Sequence, residues 1–212
     1  MTSFAVPPTW RPASCIAGAC LAAVTAFGAT AIADADAQSV LAPVPADGAV
    51  TEPAFQGKPV LLHGSTKASY FWDDASGRMG DTGMPAIGKP MQKGLFASPS
   101  WPLGTEGYVM YKGKKAPFFI GDRGPGIPSS SGVMLDIDGK TFAELTGGTF
   151  SDSTLTVKGF DAGHIKVDYV VTKWGDGKGK KNLPVPFSSG AWASYDHHPA
   201  TPPRTPVVLA GD

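Results

Sequence analysis

Glycine and proline punctuate this chain too densely for long helices. Of its 212 residues, 27 are Gly and 20 are Pro. Glycine inside a helix or strand costs backbone entropy, and proline removes a donor and clashes with the preceding turn. Between these breaks lie short runs rich in β-branched and aromatic residues, such as Pro59–His63, Lys67–Phe71, Gly107–Tyr111 and Ala116–Ile120. The last two flank Lys112-Gly113-Lys114-Lys115, a spacing that predicts a hairpin. In His164–Val171, Ile165, Val167 and Tyr169 alternate with other residues, the period of a half-buried strand. The pattern predicts an all-β domain, a barrel with one or two short helices. One helix is legible. Asp138 can cap it, Phe142 and Leu145 lie three apart on one face, and Gly147-Gly148 ends it.

The two ends of the chain read differently. Arg11 is the only charge before Asp34, and Cys15–Phe27 is small and apolar. Ala31-Ile32-Ala33 and Ala35-Asp36-Ala37 offer the small-x-small pattern of a signal-peptidase site. Residues 1–37 are therefore expected to be a secretory signal, cut after Ala33 or Ala37. The apolar run is Ala-rich and broken by Gly and Thr, whereas a membrane span needs about 20 strongly apolar residues. An exported monomer without membrane attachment is expected. Both cysteines, Cys15 and Cys20, leave with the signal, so the mature domain has to be held by its core alone.

Residues 38–63 read as a Pro/Ala-rich linker and arm, and 64–174 as the barrel domain. Residues 175–212 read as a Pro-rich extension, surface-bound or disordered, with Phe187, Trp192 and Tyr195 pinning its first half. With 18 basic and 18 acidic residues, the chain lacks the basic excess of a nucleic-acid binder. Lys178, Lys180 and Lys181 read as a solvated loop. His197-His198 stands without a partner ligand, and Asp136-x-Asp138-Gly139 lacks the later ligands of a calcium loop. No metal and no cofactor are expected.

Chemistry concentrates in two stretches. Phe118–Gly126 ends a strand with Asp122 and Arg123 and continues into a loop shaped by Gly and Pro. In Val133–Ile137, Leu135 and Ile137 facing one side would put Asp136 on the other. A charge seldom sits alone in an apolar strand unless it is paired or functional. Asp122 has two readings: an ion pair with Arg123 across the turn, of small energetic weight, or a groove partner of Asp136. Tyr70 and Trp72 alternate with Phe71, so one side of that strand is expected to present two rings outward.

These residues carry a resemblance. Ile120-Gly121-Asp122-Arg123-Gly124-Pro125 resembles the Asp-Arg-Gly-Pro loop of the rare lipoprotein A family. Leu135-Asp136-Ile137 and its following helix are similar to that family's Asp-Leu-Ser segment, and Pro102-Leu103-Gly104-Thr105 to the turn before the loop. Gly163–Val167 with Val170-Val171 is similar to the closing strand of bacterial expansins, and Ala68-Ser69-Tyr70 to their opening Ala-Thr-Tyr. The resemblance spans Thr66–Val171. It implies a six-stranded double-psi β-barrel with a groove for a cell-wall polysaccharide, peptidoglycan or cellulose. It also implies key carboxylates at Asp136 and Asp122, with Ser69, Tyr70, Trp72 and Arg123 on the substrate. The departures are Asp138 for the motif's Ser, Gly88-Lys89 for its Gly-Glu, and Ser98 for its His. The last two weigh against the family's other activity, lytic transglycosylation, in which an Asp is general acid and then base. The sequence therefore points first to a binding or loosening module that does not hydrolyse. Peptidoglycan cleavage is the second reading. A protein-binding barrel, such as a cysteine-protease inhibitor, is the third.

Overall fold

The structure, a computed structural model, describes residues 54–204. The expected signal at 1–37 lies outside them, as do 38–53 and 205–212. A small hairpin, β1 (Ala54–Phe55) and β2 (Lys58–Pro59), precedes β3 (Leu62–Phe71), β4 (Leu95–Ala97), β5 (Glu106–Tyr111) and β6 (Lys114–Asp122). Then come β7 (Val133–Asp138), α1 (Gly139–Thr146), a second hairpin of β8 (Thr149–Ser151) and β9 (Thr156–Lys158), and β10 (Ile165–Lys173).

Six of these strands close a barrel in the order β10-β3-β7-β4-β6-β5. The pairs β3/β7 and β4/β6 are parallel and the others antiparallel. The expected all-β barrel and its β5/β6 hairpin are therefore present. Alternation fills the interior with Ala68, Val109, Ile120, Leu135, Ile137 and Val167. Trp101 lies fully buried among them, edge-on to Tyr169 at 5.1 Å and stacked at 6.2 Å over Phe118. Burying one large apolar side chain is worth about 1.5–3 kcal/mol, so this core does the work of crosslinks. Phe142, Ala143 and Leu145 of α1 join it. The cap is as expected, with Asp138 accepting from the Thr141 N–H at 2.8 Å.

Two expectations change. Pro59–His63 and Lys67–Phe71 are not two strands, because β3 runs unbroken through Gly64. That glycine is a close approach and not a turn. A Cβ on it would lie 2.6 Å from the Tyr169 hydroxyl. The barrel thus begins before residue 64. The hairpin ahead of it is no loose arm, since Phe55 and Val60 bury themselves with Met110 and Val170.

The extension is also built, over 175–204. Its prolines exclude sheet, but two 3-10 turns, Phe187–Ser189 and Ala191–Ala193, form. Hydrogen bonds to backbone groups anchor it. Lys180 N–H donates to the Ser100 carbonyl (2.6 Å), Trp101 Nε1 to the Asn182 carbonyl (2.8 Å), and Phe187 N–H to Ser129 Oγ (3.0 Å). Phe187 and Trp192 stack on each other, and Tyr195 is exposed.

Candidate functional site

The pleat of β7 sends Leu135 and Ile137 into the core and turns Asp136 to the opposite face. Strand pairing then decides its neighbours. On one side Asp136 is paired with Ser69 of β3, whose hydroxyl donates to Asp136 Oδ1. On the other side it is paired with Ala97 of β4, and Ala97 is in turn paired with Asp122 of β6. Ser69, Asp136, Ala97 and Asp122 therefore form one rung across four strands. Adjacent strands are about 4.8 Å apart, which sets the two aspartate backbones roughly 10 Å from each other. The alanine between them leaves only a methyl group.

Asp122 is tied to the long segment after β3. Its Oδ1 accepts from the Ala86 N–H at 2.8 Å, and Ile87 N–H donates to the Gly121 carbonyl at 2.9 Å. That segment delivers a third carboxylate. Asp73 is buried, and its Oδ2 accepts from the Thr82 hydroxyl at 3.2 Å.

The electrostatics follow from burial and like charge. Burial pushes Asp136 up to about 6; the Ser69 hydrogen bond opposes this, and the charges of Asp122 and Asp73 add to it. Burial likewise raises Asp73 to about 6, against the Thr82 hydrogen bond and with help from Asp122 and Asp81. Desolvation is the larger cause at both sites, and repulsion from neighbouring carboxylates reinforces it. The result is a pair of acids that change charge near pH 6 and sit beside further acceptors.

Gly124 shapes the floor. A Cβ there would lie 3.6 Å from Asp136 Oδ2 and 3.8 Å from the Ala97 Cβ, and its φ of +156° suits glycine.

The other expected site residues are redistributed. Ser69 is in place. Tyr70 is not a groove ring: Ala68 and Tyr70 share the inward side of β3, where Tyr70 packs at 4.8 Å on Phe142. Its hydroxyl accepts from the Val157 N–H at 3.3 Å. Trp72 lies past the end of β3, partly exposed, 4.9 Å from Phe150 and under Lys140 Nζ at 4.8 Å. Arg123 makes no ion pair with Asp122 within 4 Å among the described residues. Its guanidinium donates instead to the carbonyls of Trp101 (2.6 Å) and Lys178 (3.0 Å), which fastens the extension. Desolvation there lowers its pKa.

Asp73 and Thr82 escaped the sequence reading. The available signal was the one that singled out Asp122: a carboxylate directly after a strand, here Phe71-Trp72-Asp73. At the departures from the family pattern, Ser98 is fully buried and accepts from the Trp101 N–H at 3.2 Å, a turn-forming role. Gly88 and Lys89 are exposed.

Among the described residues, no group of three or more His, Cys, Asp or Glu is placed to hold a metal ion. Among them, no helix is long and apolar enough to cross a membrane. No protein-family model matches the chain, and no curated protein matches it.

Proposed function

We propose that this barrel is a secreted module that binds a cell-wall polysaccharide along the Ser69–Asp136–Ala97–Asp122 rung and loosens its packing without hydrolysis. The observation that carries the reading is Asp136. It is held by one serine on the outer face of β7, between the core residues Leu135 and Ile137 and beside two further carboxylates. Carboxylates in a row accept hydrogen bonds from successive sugar hydroxyls, and such charge-assisted bonds are the stronger kind. The resemblance of Asp122-Arg123-Gly124-Pro125 and Leu135-Asp136-Ile137 to rare lipoprotein A and the expansins supports the same reading. The export signal expected at 1–37 supports the reading, because it would carry the module to where such polymers are.

One observation favours cleavage as a second reading. An acid with a pKa near 6 suits proton donation to a glycosidic oxygen. The buried Ser98 and the exposed Lys89 stand where that chemistry's other groups are expected in the family.

The test is co-sedimentation with insoluble peptidoglycan and with cellulose, analysing the supernatant for sugar fragments. The proposal expects retention on at least one polymer, no soluble product, and at least about tenfold weaker retention for Asp136→Asn. Anhydro-ended fragments that vanish in Asp136→Asn would establish the lytic reading instead. Failure of both polymers to retain the protein would overturn both readings.

A further inference from the structure

A cavity of about 210 Å³ is lined by Asp73, the carboxylate whose charge acts on Asp136 of the rung. Trp72, Met84, Pro85, Pro90 and Met91 give it apolar walls, and Asp73 and Asp74 give it acid. The two carboxylates differ in what neutralises them. Asp74 is paired with Arg78 at 2.9 Å. Among the described residues Asp73 has no cationic partner within 4 Å, only the hydroxyl and backbone N–H of Thr82, although the residue is just 8% exposed. Lys140, the cation over Trp72, is itself engaged with Asp152 at 3.3 Å. The cavity is thus an apolar slot with one buried, uncompensated negative charge.

Resting on the polysaccharide reading above, we infer that this cavity is a subsite for an amino sugar carrying a free ammonium group, with the sugar's apolar face against Trp72 and the ammonium on Asp73. The charge argues for the amine. An ammonium supplies the charge-assisted donor that a buried carboxylate requires, whereas a hydroxyl or acetamido group supplies a neutral one. The walls argue for the ring. Indole and thioether surfaces pack on its C–H face. Pro85 immediately precedes Ala86, whose N–H binds Asp122, so the slot continues the rung and does not form a separate site.

The test is calorimetric titration of the purified protein near pH 7 with length-matched oligomers of glucosamine, N-acetylglucosamine and glucose. Glucosamine oligomers are expected to bind about tenfold more tightly than the other two at low salt, with the advantage shrinking as salt rises. Asp73→Asn brings glucosamine down to the level of the neutral oligomers, and Trp72→Ala weakens all three. Should Asp73→Asn not fold, the salt dependence carries the test on the unaltered chain. Equal affinity for the three oligomers overturns the inference, as does an amine preference that survives Asp73→Asn or is insensitive to salt. If neutral oligomers bind in an Asp136-dependent way without amine preference, this inference fails alone. If no oligomer binds, the polysaccharide reading falls with it.

Discussion

Asp122 and Asp136 flank the same residue: Ala97 of β4 is the register partner of both, one on each side. Two acids 14 positions apart in sequence thereby share one face. The parallel β4/β6 pair and the antiparallel β4/β7 pair bring this about together. Asp73 enters the same field from the segment after β3.

The first consequence is a stability that declines as pH rises. Asp73 and Asp136 hold their protons to about 6 when folded, against 3.8 for the free group. Between these values the folded chain binds more protons than the unfolded one. The stabilisation from protonation is complete below about pH 4 and is lost as pH climbs through 6, at most about 3 kcal/mol at Asp136 and less at the more solvent-screened Asp73. Asp74 and Asp196 shift the other way, their hydrogen bonds favouring the charged form. Thermal unfolding is expected at a higher Tm at pH 5 than at pH 7.5, with a flatter profile in Asp136→Asn. A Tm that rises steadily from pH 5 to 7.5 contradicts the assignment.

Asp138 makes a different demand on the same strand. It is fully buried and accepts from Thr141 N–H at 2.8 Å and from Gly94 N–H at 2.7 Å. Asp138→Ala removes the helix cap and strands the buried Thr141 N–H and the half-buried Gly94 N–H, at a cost of about 2–4 kcal/mol. Asp138→Ser keeps a cap for α1 and falls between. Urea denaturation orders the three proteins, and equal midpoints for Ala and Ser would deny the cap its role.

Local signals were legible in the sequence and long-range ones were not. The cap at Asp138, the β5/β6 hairpin and the outward Asp136 follow from period and turn chemistry within a few residues. Tyr70 was misread because alternation shows that Tyr70 and Trp72 share a side while leaving open which side is core. The barrel settles that through Phe142, 72 positions away. Arg123 was misread for a similar reason. Sequence neighbours Asp122 and Arg123 suggest a pair, but the guanidinium is claimed by carbonyls of Trp101 and Lys178. The proline count correctly excluded sheet from the extension. It could not show that backbone donors and acceptors would find partners on the Ser98–Trp101 turn.

That claim on Arg123 is itself testable. Arg123→Ala removes two hydrogen bonds from a charged donor, each worth about 1.5–3 kcal/mol. The extension is expected to loosen at 176–182, exposing the bonds after Lys178, Lys180 and Lys181. Limited trypsin digestion then cuts there several-fold faster than in the parent chain, while the barrel core stays resistant. Arg123→Lys restores one contact and protects in part. Unchanged digestion of Arg123→Ala would show that the other anchors suffice.

Gly124 tests whether the loop after β6 sets the geometry of Asp136. Its φ of +156° is one that L side chains rarely adopt, so any substitution strains the backbone there, at about 1–3 kcal/mol. The added methyl of Gly124→Ala also lands 3.6 Å from Asp136 Oδ2, in the space a ligand hydroxyl would use. The expected result is a modest fall in Tm with a disproportionate loss of polysaccharide retention, comparable to that of Asp136→Asn. Ile127→Ala is the control, since that side chain on the next turn is 90% exposed. If Gly124→Ala lowers Tm but leaves retention intact, the loop serves the fold alone and Asp136 meets its ligand from the Ser69 side.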